Sequence, residues 1–175
     1  MSHSERVIVK KPRECSGNEL QDFIALVRAG GEVAPSGLET RVQTAALLVF
    51  LTEGQRLLGI AALKLPSSNY RRSVSEKAGV SLETSAFPYE IGWVYVIPSA
   101  RSAGFSRKLV SAAVTAACGK GMFATSRTDN VRIHRTLEHF RFVSSGRPYA
   151  SDRGNYQVQL FIRHATRSDA PVDVL

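Results

Sequence analysis

The chain has 175 residues, 43% of them apolar, and a formal net charge of +8. That length suits one domain around one core, and that apolar share argues against wholesale disorder. No apolar run is long enough to cross a bilayer, and the two cysteines, Cys15 and Cys118, make neither a disulfide framework nor a metal-ligand spacing.

The opening MSHSERVIVKKPRE is charged and lacks the apolar stretch of a secretory leader, so a cytoplasmic setting is expected, with no membrane partner. The positive balance favours anionic partners, including nucleotide cofactors, nucleic acid and acidic proteins, and solubility alone explains the same charge.

Residues 1–14 read as a loose, polar N-terminus. Ser16 and Glu19 then form a capping box, and Leu20, Phe23, Ile24 and Val27 recur at helical spacing up to Gly30 and Gly31. A shorter helix is expected from Ser36, with Glu39 three residues on. Ala45 to Leu51 and Leu57 to Leu65 are apolar runs on either side of a Gly-containing turn, the pattern of a hairpin. Residues 66–88 hold two prolines, many serines and the cluster Tyr70-Arg71-Arg72; they read as an inserted basic loop with a weak helical turn from Ser73.

Glu90 to Ile97 is a strong strand ended by Pro98. Trp93 and Tyr95 alternate with Val94 and should share one face. A polar turn leads into a helix over 106–118, in which Cys118 reads as a small buried hydrophobe. Met122 to Thr125 is a short strand. Asp129 or Asn130 caps a helix to about His139, and a strand begins at Phe142. Gly146, Pro148 and residues 151–154 read as turns, Tyr156 to Ile162 as a final strand, and 164–175 as a flexible tail. One domain over 15–163 is expected, an α/β fold with a mixed sheet in which antiparallel hairpins come first and a parallel crossover sits in the middle.

The informative stretch runs from Val94 to Leu109. A buried strand enters a short turn that opens directly into a helix. The first turn of a helix leaves N–H groups without partners, and its dipole adds positive potential there. Together these make an anion site from backbone alone. Gly104 lets the chain approach a phosphate or take a positive φ, and Arg101 and Arg107 offer cationic hydrogen bonds.

Arg101-Ser102-Ala103-Gly104-Phe105-Ser106 resembles the cofactor motif of the GNAT superfamily of N-acetyltransferases, Gln/Arg-x-x-Gly-x-Gly/Ala after a strand and at the mouth of a helix. The resemblance covers about Ser16 to Ile162 in element order and is specific over Tyr89 to Val143. It implies a sheet of six to seven strands flanked by about four helices, with acetyl-CoA or coenzyme A as cofactor. By the same resemblance, the amides of Ser102 to Ser106 would bind the pyrophosphate, the edge of the strand at Tyr95, Val96 and Ile97 would pair with pantetheine, and Asn130 would sit near the pantetheine arm.

Acyl transfer to an amine needs a base for the ammonium proton and an acid for the leaving thiolate. Glu90 is the candidate base, at a place and spacing used by some GNAT members. The family's usual acid, a tyrosine, falls on Leu137 here, so Tyr149 stands as the substitute, with Tyr156, His134 and His139 as other candidates. The acceptor side is assigned to Tyr70, Arg71 and Arg72 of the inserted loop and to Trp93, for which core packing is the competing reading. The acceptor itself is a small-molecule or macromolecular amine. Nucleic-acid-directed acylation, a non-catalytic CoA- or nucleic-acid-binding module and a homodimer stay open.

Overall fold

The computed structural model describes residues 4–31 and 33–166. Seven strands form one sheet in the order β1-β2-β3-β4-β5-β7-β6. They are β1 (Glu5–Lys10), β2 (Leu47–Glu53), β3 (Arg56–Lys64), β4 (Tyr89–Val96), β5 (Met122–Arg127), β6 (Val143–Ala150) and β7 (Gln157–Arg163). Five helices flank them: α1 (Gly17–Ala29), α2 (Leu38–Gln43), α3 (Ser68–Ala78), α4 (Phe105–Ala116) and α5 (Val131–His139). All pairings are antiparallel except β4–β5. The α/β class and mixed sheet match the sequence pattern, with seven strands and five helices.

Residue parity along the strands divides the core. Val49, Leu51, Ala61 and Leu63 pack with Leu109, Val110 and Ala113 of α4. Their neighbours Leu48, Phe50, Ile60 and Ala62 pack on the other face with Phe23, Ile24 and Val27 of α1 and with Leu38 and Val42 of α2. Helix α3 covers a separate patch, where Val74 and Ala78 meet Phe123 and Leu160. Trp93 and Tyr95 both pack toward α1 and α2, whereas Val94 packs toward α4.

Four expectations are corrected. Residues 5–10 are not loose; they pair along β2 from Glu5↔Glu53 to Lys10↔Leu48. The 66–88 segment is not a loop with one weak turn. It holds α3, capped by Ser67 Oγ, which accepts from Tyr70 N–H, and closed by Gly79 at φ 73°. Gly146 and Pro148 lie inside β6, an outer strand, where the register shifts between Ser145 and Tyr149. An edge strand tolerates a proline because it has one side without a ladder partner. Cys118 is exposed rather than buried, at φ 50° just past the end of α4. Of the expected C-terminal tail, 167–175 lies outside the described residues, and Thr166 N–H donates to Gly119 O.

Candidate active site

β4 and β5 are parallel neighbours for only two residue pairs, Tyr89↔Met122 and Glu90↔Phe123. Beyond Glu90 the strands part. Opposite β3, the β4 chain carries two residues, Trp93 and Val94, against the single Ala61, and Trp93 takes φ 52°. That bulge bends β4 and adds twist where it leaves its neighbour. A cleft of about 1020 Å³ opens at the split, lined by α1, α2, α3, β4, β5, the start of α5 and the β6–β7 turn.

At the far end of β4 the chain turns into α4. Gly104 is the N-cap at φ 76°, and Ser102 also has a positive φ, 70°. A non-glycine residue in that region stores strain, here within the turn that leads into α4. Among the described residues no carbonyl or side chain accepts from the amides of Ser102 to Ser106, whereas Arg107 N–H already donates to Gly104 O. Five consecutive amides at the head of α4 therefore have no partner among the described residues. Arg107, Arg132 and Arg135 line the concavity beside them, and all three are exposed. Arg132 and Arg135 are three residues apart on α5, so they share one face. Arg132 and Arg135 thus add two cations to the concavity beside the turn, on a helix distant from it in sequence.

The other cofactor candidates divide. Val96 lines both the cleft and this concavity. Ile97 N–H donates to Leu58 O and its carbonyl accepts from Ala100, so both its main-chain groups are occupied, which corrects its assignment as a pairing residue. Alternation then turns the main chain of Val96 to the open side, where its carbonyl accepts from Arg101 Nε at 3.1 Å. Arg101 folds back along β4 with its guanidinium 5.6 Å from the Tyr95 ring. Ser102, Gly104, Phe105 and Ser106 line the concavity and Ala103 does not. Asn130 lines the cleft and caps α5, its Oδ1 accepting from Ile133 N–H.

Glu90 is buried at the point of parting, 2% exposed. Its Oε1 accepts from the Tyr70 hydroxyl at 2.9 Å, and that hydroxyl also lies 3.3 Å from Thr125 Oγ1, so α3 ties β4 to β5 where they separate. Oε2 has no hydrogen-bond partner; its charge is met by Lys64 Nζ at 2.8 Å, an ion pair outside hydrogen-bond alignment. Lys64, the last residue of β3, lies between two aromatic faces, 5.1 Å from the Trp93 centroid and 5.7 Å from that of Tyr70. Burial, then the Glu90 charge, pushes the Tyr70 phenol well above its ordinary range. Tyr149 on β6 also lines the cleft, and burial pushes it up to about 12. At neutral pH both phenols keep their protons.

Two acceptor candidates move. Arg71 is buried, and its guanidinium donates to the carbonyls of Leu82, Phe87 and Pro88, so it staples the segment after α3 instead of meeting a substrate. Arg72 is exposed, outside the cleft lining, and donates to Asn69 Oδ1. Tyr70 and Trp93 do line the cleft. Leu137 is buried there, with no proton to give. His134 is held by Arg127 O and the Phe161 ring, and His139 lies exposed against Phe140. Lys64 had a weak signal in the sequence: a lone cation closing an apolar strand.

Solved structures share this architecture. An acyl-CoA N-acyltransferase from Pseudomonas aeruginosa superposes with a TM-score of 0.67 at 15% identity, covering 91% of this chain and 99% of its own. The fold is that of the GNAT acyltransferases. Arabidopsis thaliana NAA60, solved in complex with acetyl-CoA, gives 0.66 at 13% identity over 91% and 98% of the two chains. A proposed acetyltransferase of the GNAT family from Desulfovibrio desulfuricans gives 0.64 at 15% over 92% and 99%. No family model and no curated protein sequence matches the chain.

Proposed function

We propose that the protein is an acetyl-CoA-dependent N-acetyltransferase, moving an acetyl or related acyl group to an amine by direct transfer with both substrates bound. The observation that carries this reading is the run of five unpartnered amides at the head of α4, continuous with the open edge of β4. Unpaired N–H groups at a helix start, three arginines beside them and a strand edge leading into a cleft are the donor set that a diphosphate with an amide-bearing arm requires. The likeness to acyltransferases, one of them solved with acetyl-CoA, agrees with that donor set.

In this reading Ser102 to Ser106 hold the pyrophosphate, with Arg107, Arg132 and Arg135 adding charge, and the Val96 N–H on the open side of β4 pairs with the pantetheine arm, the Val96 carbonyl being held by Arg101. Acetyl-CoA supplies a thioester carbonyl as the electrophile. Glu90 accepts a proton from the acceptor ammonium, which has to be neutral to attack. Tyr149, protonated at neutral pH and facing the same cleft, donates to the departing sulfur. Tyr70 holds Glu90 in place, and Trp93 walls the acceptor side.

Calorimetry with acetyl-CoA and free CoA tests this. Binding is expected for the wild type, weakened by about tenfold, or ~1.4 kcal/mol, in Arg132→Ala/Arg135→Ala. A well-folded protein with no affinity for either ligand refutes the proposal. Binding with no transfer to any member of a broad amine panel would make the protein a CoA-binding module.

A further inference from the structure

Lys64 is a cation held where an amine substrate would have to lie. Its stem crosses β4 at Gly92: a Cβ there would stand 3.0 Å from Lys64 Cδ and 3.3 Å from Nζ, so the absence of a side chain at 92 admits the lysine. Nζ ends 2.8 Å from Glu90 Oε2, the oxygen with no aligned donor, between the rings of Trp93 and Tyr70. The side chain is 21% exposed and lines the cleft. Aromatic walls and a carboxylate are the set that recognises an ammonium. Of the six lysines, Lys77 over the Tyr149 ring and Lys108 over the Phe105 ring each meet one ring and an exposed carboxylate, and Lys64 differs from them in having two rings and a buried carboxylate. Lys77 also lines the cleft, but it pairs with Asp152, whose side chain is 79% exposed, on the β6–β7 turn.

We propose that Lys64 is itself an acyl acceptor, a self-acylation site inside the cleft. This rests on the acetyl-CoA reading above. The ammonium gives one proton to Glu90, and the freed nitrogen pair attacks the thioester carbonyl carbon. The C–N bond forms as the C–S bond breaks, the sulfur leaves with the bonding electrons and takes, relayed through solvent, the proton that Glu90 accepted, and the second nitrogen proton passes to solvent. The products are an acyl-lysine amide, free CoA and one proton. No oxidant, metal or further reactant is needed. The acyl-lysine has no positive charge, so the step leaves Glu90 without its counterion.

The test uses the purified full chain, acetyl-CoA and no added amine. Peptide mass spectrometry is expected to find one acetyl group on Lys64, accumulating at least tenfold faster than on any of Lys10, Lys11, Lys77, Lys108 and Lys120. Glu90→Gln should slow Lys64 labelling at least tenfold and leave the slow background on surface lysines unchanged. Lys64→Arg should abolish the fast phase. Calorimetry on the same samples separates the two readings. If acetyl-CoA binds and Lys64 labels no faster than the surface lysines, self-acylation is overturned and the cofactor reading stands. If acetyl-CoA does not bind, both fall. Should Glu90→Gln fail to fold, Glu90→Asp replaces it, and labelling of Lys64 at the wild-type rate in that variant would overturn the role given to Glu90.

Discussion

Replacing one partner of the Lys64–Glu90 pair should cost more than replacing both. The charges are 2.8 Å apart, and the side chains are 21% and 3% exposed. At an effective dielectric of ~20 the attraction is about 6 kcal/mol, and partial removal of both ions from water offsets much of it, leaving a net coupling of about 2–3 kcal/mol. Glu90→Gln keeps an acceptor for the Tyr70 hydroxyl and strands an ammonium between two rings. Lys64→Met keeps the apolar stem across Gly92 and strands a carboxylate. Each single variant should lose ~3 kcal/mol, which for a chain of this size lowers the midpoint of thermal unfolding by roughly 6–12 °C. The double variant, with neither charge, should recover most of that loss. Urea unfolding of all four proteins at neutral pH gives the coupling from the cycle. Additivity within ~0.5 kcal/mol would show that the pair is not energetically coupled and that its placement in the cleft has no electrostatic basis.

The Tyr149 phenol is raised by burial, so its protonated form stabilises the folded chain fully below the ordinary tyrosine value of 10.0, and this contribution is lost as the pH climbs toward about 12; burial raises Tyr70 as well, so its contribution is lost in the same alkaline direction. Thermal midpoints measured from pH 8 upward should fall on that alkaline side, and Tyr149→Phe should make the fall shallower without abolishing it, since Tyr70 remains; an unchanged slope would contradict the burial argument. Gly121→Ala would press a methyl group well inside contact distance of the Ala86 carbonyl, backbone that cannot swing aside as a side chain would. A loss of about 2–3 kcal/mol is expected in urea unfolding, and a neutral result would mean that this backbone yields.

Where local chemistry agreed with tertiary structure, the elements were legible. The box of Ser16 and Glu19 forms as read, with Glu19 N–H donating to Ser16 Oγ and Ser16 N–H to Glu19 Oε2. The turn before α4 was readable because a helix start needs no particular side chain to offer free amides. Helix α3 was underestimated because its sequence, SNYRRSVSEKA, is polar and serine-rich, and what holds it is distant: Arg71 on three carbonyls of the following segment and Tyr70 across the β4–β5 gap. β1 was missed because its side chains are mostly exposed, with Val7 and Val9 at 38% and 39%, so it offers little of the buried pattern that marks a strand. Ile97 was misassigned because which side a strand residue's amide faces depends on register, fixed here by Leu58. The Lys64–Glu90 pair joins residues that are neighbours only through the β3–β4 ladder.

Two rungs join β4 to β5, and every other neighbouring strand pair is longer. The sheet is in effect two ribbons, one of four strands ending in α4 and one of three carrying α5, tacked together along a short seam. Between them the chain crosses at Cys118, Gly119 and Lys120, outside any strand. Severing the backbone there would break no ladder within either ribbon, which makes that tripeptide the natural cut for dividing the protein into two halves that meet again around the cleft.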